Sequence, residues 1–147
     1  MRNSTPLPLE VFVAEDNYAD VRWLQLILVE AQIHHTLSIA YDGEQALNFL
    51  QKTGGFICAP DPDLVFIDLN MPKLTGVQIL EALDSINGLP ICVLTSSPLE
   101  REIVLQRFQM DERRYILKPI DRAKLLDALD SFEHLERTAT EVRALGA

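Results

Sequence analysis

Long hydrophobic runs are missing from this sequence, and none approaches the roughly 18 residues that a membrane-spanning helix needs. Met1 to Leu9 has neither the charged start nor the apolar core of a signal peptide. A membrane partner is therefore not expected, and the chain reads as soluble and cytoplasmic. Basic residues are also in short supply, with 13 Lys and Arg against 22 Asp and Glu and a formal charge of −9. That balance repels phosphate backbones and argues against nucleic acid as a direct partner. The two cysteines, Cys58 and Cys92, lack metal-ligand spacing, and Cys92 reads as a small buried thiol in mid-strand. His34 and His35 are adjacent, so on a strand they point to opposite faces and cannot hold a metal together without help from elsewhere. No internal repeat, low-complexity tract or internal linker breaks the 147 residues, and 48% apolar residues is the level of one globular core.

What is present is a set of short apolar runs that end in polar groups. Leu64 to Ile67 suits a strand buried on both faces, and it stops at Asp68 before Asn70, Pro72 and Gly76. Val11 to Ala14 ends in Glu15-Asp16, Ile91 to Leu94 in Thr95-Ser96, and Tyr115 to Leu117 in Lys118-Pro119. Between the runs lie helical patterns. Val21, Leu24, Ile27, Leu28 and Ala31 mark the first, with Trp23 off the main stripe and without specific meaning. Ala46, Leu47 and Leu50 mark the second, within 44–52, after the turn signal Asp42-Gly43. Val77, Leu80, Leu83 and Ile86 mark the third, within 75–86, closed by Asn87-Gly88. Ser97, Pro98 and Glu100 have the cap, first-turn proline and third-position glutamate of a helix start, for a helix running to about Gln109. A last helix from Asp121 is expected to continue to Ala147.

Strand followed by helix, five times over, implies parallel pairing with right-handed crossovers. The expected class is α/β, a doubly wound five-stranded parallel sheet in the flavodoxin-like order 2-1-3-4-5. In such sheets ligands bind outside the carboxyl ends of the strands, which is where Glu15, Asp16, Asp68, Thr95 and Lys118 fall. Each has an ordinary alternative: Asp68 as a turn former, Asp16 and Asn17 as helix caps, Thr95 as part of a capping run, Lys118 as a solvated lysine. Together, three carboxylates on one edge imply a cation, and an all-oxygen donor set suits Mg²⁺. Such a cation would offset the repulsion between an aspartate nucleophile and an incoming phosphoryl group, whose other oxygens Lys118 and Thr95 could hold.

On these residues the chain resembles a receiver domain of a two-component response regulator, the CheY-like family. Glu15-Asp16, Asp68 with Asn70, Pro72 and Gly76, Thr95-Ser96, and Tyr115 with Lys118-Pro119 carry the resemblance over about Glu10 to Leu135. It implies that Asp68 accepts a phosphoryl group from a histidine kinase. It also implies that Glu15, Asp16, Asp68 and the main-chain carbonyl of Asn70 ligate Mg²⁺, and that Thr95 and Lys118 contact the phosphoryl oxygens. A cis peptide before Pro119 and a switch through Thr95 and Tyr115 follow from the same resemblance. The long 54–62 loop and the wording of residues 16–20 are similar to the small regulators that serve bacterial phytochrome kinases.

The layout expected is a flexible leader at 1–8, a receiver at 9–136 and a C-terminal helix extension at 137–147, acting as a stand-alone regulator and not as an enzyme on other substrates. Leu125, Ala128, Phe132, Leu135, Ala139 and Val142 alternate spacings of three and four, so a homodimer is expected through the last helix and the face of helix 4, strand 5 and helix 5. The rival from another class is an aspartate-nucleophile, Mg-dependent phosphohydrolase. That chemistry commonly uses an aspartate general acid two residues past the nucleophile, where this chain has Asn70. A flavin-binding module would need a hydroxyl- or glycine-rich phosphate loop where Glu15-Asp16 stands.

Overall fold

Apolar runs without alternation need cover on both faces, and a parallel sheet flanked by helices supplies it. In the computed structural model, which describes residues 7–83 and 88–146, β1 (Leu9–Ala14), β2 (His35–Ala40), β3 (Leu64–Asp68), β4 (Ile91–Thr95) and β5 (Tyr115–Leu117) form one sheet. Its order is β2-β1-β3-β4-β5, with every neighbouring pair parallel. Class and strand order are those implied by the sequence. Strands β3 and β4 are buried along their whole length, and the edge strand β2 is the most exposed.

The period of two along each strand divides the core. On one face Val11, Val13, Leu64, Phe66, Cys92, Leu94 and Ile116 meet α1 (Tyr18–Glu30) and α5 (Arg122–Asp130). On the other, Phe12, Ala14, Val65, Ile67, Ile91 and Val93 meet α2 (Gly43–Gln51), α3 (Gly76–Ala82) and α4 (Pro98–Phe108). The starts of these five helices each have an oxygen to cap them: Asn17 for α1, Asp42 for α2, Thr75 for α3, Ser97 for α4 and Asp121 for α5. A cap of this kind is worth about 1 kcal/mol.

Three expectations are corrected. In α2 the residues fully inside are Ala46 and Phe49, while Leu47 and Leu50 are only partly buried. The cause is Phe12, whose ring stacks on that of Phe49 at 4.1 Å and 7°. Helix α3 ends at Ala82, with Leu83 extended and Ile79 buried beside Leu80; Ile86 and Asn87 lie outside the described residues.

The third correction concerns the last helix, which is not continuous. It stops at Asp130, Phe132 is extended (φ −113°, ψ 123°), a short 3-10 turn covers Glu133–Leu135, and α6 (Glu136–Gly146) follows. Arg114 sets the break. Its guanidinium donates to Ser131 Oγ at 3.0 Å and Ser131 O at 2.6 Å, and lies 3.9 Å over the Phe132 ring. Arg122 then ties α6 back by donating to Val142 O at 2.8 Å, and Arg143 pairs with Asp130. Consequently Leu125, Ala128, Phe132, Leu135, Ala139 and Val142 all lie in the chain's own core beside α1. The residues read as a seam from their spacing pack within the chain.

Candidate functional site

The sheet's carboxyl edge is fixed by backbone hydrogen bonds that run past the strand ends. Glu15 N–H donates to Ala40 O at 2.9 Å, Leu69 N–H to Leu94 O at 3.1 Å, and Lys118 N–H to Thr95 O at 2.7 Å. Glu15, Asp68, Thr95 and Lys118 therefore sit on one rim, each set by a strand and not by a free loop. The loop after β3 is fitted closely. A Cβ on Gly76 would stand 2.7 Å from Asp68 O, and one on Gly43 would strike the Leu74 backbone. Gly43 N–H donates to Pro72 O at 3.1 Å, which fastens this loop to the start of α2.

Oxygens of Glu15, Asp16 and Asp68 all lie within 4.8 Å of one another. Glu15 and Asp68 are buried and Asp16 is exposed. Lys118 Nζ lies 2.6 Å from Glu15 Oε1, 2.9 Å from Asp20 Oδ2 and 3.5 Å from Asp68 Oδ1. Burial and the neighbouring Asp68 carboxylate push the Glu15 carboxyl up to about 7, against the pull of Lys118. Burial alone would lower the Lys118 ammonium, but its hydrogen bonds to Glu15 and Asp20 raise it. Four carboxylates, counting Asp20, face one ammonium, which leaves three negative charges uncompensated when all are ionised. Hard oxygen donors with excess negative charge fit a divalent cation of the Mg²⁺ kind.

Of the remaining three residues named from the sequence, Thr95 and Tyr115 do not join the acids, and Asn70 bonds to Asp68. Thr95 is fully buried at the end of β4, yet its hydroxyl donates to Glu100 Oε1 at 2.6 Å. Tyr115 starts β5 two positions below the rim, points inward, and accepts from Met110 N–H at 3.0 Å through its hydroxyl. The Lys118-Pro119 peptide is cis. Asn70 N–H donates to Asp68 Oδ1 at 3.4 Å, and Asn70 Nδ2 donates to Glu100 Oε1 at 3.3 Å.

Asp20 and Glu100 are polar residues of this rim that sequence reasoning missed. Asp20 stands four residues after Asp16, one helical turn, and that spacing is the signal that could have placed it near the acids. Glu100 was expected to close the capping box of α4. Trp23, expected to carry no specific meaning, donates its indole N–H to Ile120 O at 2.6 Å and borders Asp20 and Lys118.

Fold and rim together define an aspartate-centred α/β module. Residues 11–130 match the response regulator receiver domain. Response regulator Rcp1 from Synechocystis sp. is 30% identical over 138 residues, spanning 90% of this chain and 93% of that protein. Among solved structures, the bacteriophytochrome response regulator AtBRR superposes with a TM-score of 0.75 at 27% identity, covering 86% of this chain and 93% of that one. The Mn²⁺-bound form of Rcp1 does so with a TM-score of 0.66 at 30% identity, covering 88% and 96%. The receiver domain of a Pseudomonas aeruginosa sensor histidine kinase, with magnesium in its active-site cleft, gives 0.65 at 25% identity, covering 84% and 96%. The chain belongs to the response regulator receiver domain family.

Proposed function

We propose that Asp68 accepts a phosphoryl group from a histidine kinase, with Mg²⁺ held by Glu15, Asp16, Asp68 and the main-chain carbonyl of Asn70. The observation that carries this reading is the position of Asp68: a buried carboxylate on the sheet's rim, with the acidic pair on one side and the Lys118 ammonium 3.5 Å away. Metal-bound Rcp1 and the magnesium-bound Pseudomonas receiver support the choice of ion. A bound divalent ion supplies positive charge against which an anionic donor can approach. An Asp68 oxygen then attacks phosphorus, a new P–O bond forms, and the P–N bond to the donor imidazole breaks. The imidazole leaves with the bonding electrons and takes up a proton. Lys118 holds one phosphoryl oxygen by charge. Thr95 holds another once its hydroxyl has turned from Glu100.

Output is proposed through the face of α4, β5 and α5. A groove of about 600 Å³ opens there, lined by residues that include Arg101, Glu102, Tyr115, Lys124 and Asp127, and Leu99 and Ile103 are exposed on α4. Mixed charge around an apolar floor suits a protein partner. With α6 folded against its own core, the expected homodimer rests on this face alone. Similarity to the phytochrome regulators points to a phytochrome-type kinase as donor, in the cytoplasm. The free cysteines, exposed Cys58 and buried Cys92, accord with a reducing compartment. Beyond its own phosphorylation and dephosphorylation the chain is not proposed to be an enzyme. Asn70, two residues past Asp68, has no acidic proton of the kind that a hydrolase general acid must give and retake.

Incubation with a phosphorylated histidine kinase and Mg²⁺ tests this. One acid-stable, base-labile acyl phosphate is expected, lost with a chelator and lost in Asp68→Asn. Equal labelling of Asp68→Asn would defeat the assignment.

A further inference from the structure

Helices α3 and α4 begin with the same local signal and use it differently. At α3, Thr75 Oγ1 accepts from Gln78 N–H at 3.2 Å and Gln78 Oε1 accepts from Thr75 N–H at 2.9 Å, so the box is closed. At α4, Ser97 Oγ accepts from Glu100 N–H at 3.1 Å, but the return bond is not made. Ser97 N–H donates instead to Thr95 Oγ1 at 3.1 Å, and the Thr95 hydroxyl donates to Glu100 Oε1 at 2.6 Å. Three hydrogen bonds thus form a ring through Thr95, Ser97 and Glu100. The same Glu100 oxygen accepts from Asn70 Nδ2 across the mouth of the rim.

The ring has a second arrangement with no donor left over. If the Thr95 hydroxyl leaves, Ser97 N–H loses its acceptor and the Glu100 carboxylate loses the shorter of its two side-chain donors. These two are the halves of the unclosed capping box, and they can meet as Thr75 and Gln78 do in α3. A buried polar group is costly to strand, so an exchange that re-pairs both ends has a far lower cost than simple release.

We propose that Glu100 is the positioning residue of Thr95: its carboxylate holds the hydroxyl away from Asp68, and closure of the α4 capping box by Glu100 accompanies the hydroxyl's release toward the phosphoryl group. The proposal rests on the reading of Asp68 as phosphoacceptor. Both bonds are charge-assisted, but the one that Glu100 gives up is made to a fully buried hydroxyl, whereas the one it gains is to the N–H of a half-buried residue. The ring therefore favours the retracted hydroxyl. The Glu100 carboxylate also stands, through Asn70 and Thr95, close to where an anionic phosphoryl group arrives. Both effects act in the same direction, so removing the carboxylate speeds phosphorylation.

The test uses the full chain with Glu100→Ala, Glu100→Gln and Thr95→Val, alone and combined. Without any phosphodonor, three-bond couplings to the Thr95 methyl carbon report its χ1. A single rotamer is expected for the parent and for Glu100→Gln, whose amide oxygen still accepts, and averaged couplings for Glu100→Ala. With acetyl phosphate and Mg²⁺, Glu100→Ala is expected to be phosphorylated about tenfold faster, the scale of one charge-assisted hydrogen bond partly replaced by another. In the Thr95→Val background the same change should alter the rate less than about twofold, because no hydroxyl remains to release. An unchanged single rotamer in Glu100→Ala overturns the proposal. So does an equal acceleration in the Thr95→Val background, which would reduce Glu100 to a through-space charge. If the parent takes no phosphoryl group at all, the phosphoacceptor reading falls, and the Thr95 couplings alone decide the role of Glu100.

Discussion

The two limbs of the rim differ in how far they are assembled. On the limb made by β1, β3 and β5, the Lys118 ammonium already stands within 3.5 Å of the Glu15, Asp20 and Asp68 carboxylates. On the limb made by β4, Thr95 is just as buried but its hydroxyl faces Glu100. Charge accounts for the contrast. A buried carboxylate without a counter-charge is too costly to leave open, so Lys118 must be in place whether or not a ligand is bound. A hydroxyl is neutral and both gives and accepts, so it can be satisfied on either side and is free to serve as the moving part. Tyr115, the other residue of the expected switch, is inward while the Thr95 hydroxyl is held by Glu100.

The largest expected effect comes from breaking the assembled limb. Lys118→Ala removes the ammonium that would hold a phosphoryl oxygen, and the initial phosphorylation rate from a small donor should fall about 10²- to 10³-fold. A rate within threefold of the parent would make Lys118 a bystander to Glu15.

The same limb sets a pH dependence in the absence of divalent ions. The Glu15 carboxyl is raised from 4.5 to about 7 in the folded chain, so the folded state keeps a proton that the unfolded state gives up in that interval. The stability linked to this proton is fully present below about pH 4.5 and is lost as pH rises through about 7, by up to about 3 kcal/mol. Urea midpoints with a chelator should therefore fall between pH 5 and 7.5. Glu15→Gln should flatten the fall, and Mg²⁺ should reduce it by compensating the ionised form. A midpoint that rises across this range in the parent would contradict the sign.

A smaller effect separates damage to the rim from damage to the fold. Arg114→Ala removes two hydrogen bonds and the contact with the Phe132 ring that hold the bend after α5. It should cost about 1 to 3 kcal/mol in urea unfolding. Phosphorylation at saturating Mg²⁺ should change less than about twofold, because nothing on the rim has moved. A hundredfold slower rate would mean that the α5–α6 bend feeds into the site.

What was legible in the sequence, and what was not, follows the reach of each interaction. Strand order and the gathering of Glu15, Asp16, Asp68 and Lys118 could be read because a parallel sheet brings the ends of its apolar runs together. The break after α5 could not, because the residue that makes it, Arg114, is 17 positions away from Ser131 and carries no pattern of its own. Phe49 was passed over for Leu47 and Leu50 because its burial comes from Phe12, on a strand that the helical spacing does not see. Glu100 matched a local rule so well that its other use stayed hidden. The capping box explains why a glutamate stands three residues past a serine, but only the folded chain places that carboxylate against Thr95 and Asn70.

The account turns on Asp68 as the residue that takes the phosphoryl group. Borohydride reduction of the freshly phosphorylated chain converts an aspartyl phosphate to homoserine, and peptide mass spectrometry then locates it. Homoserine at position 68 and nowhere else, formed only with Mg²⁺ present, is the predicted result. Homoserine at Asp16, Asp20 or any other acid, with position 68 unchanged, would contradict it.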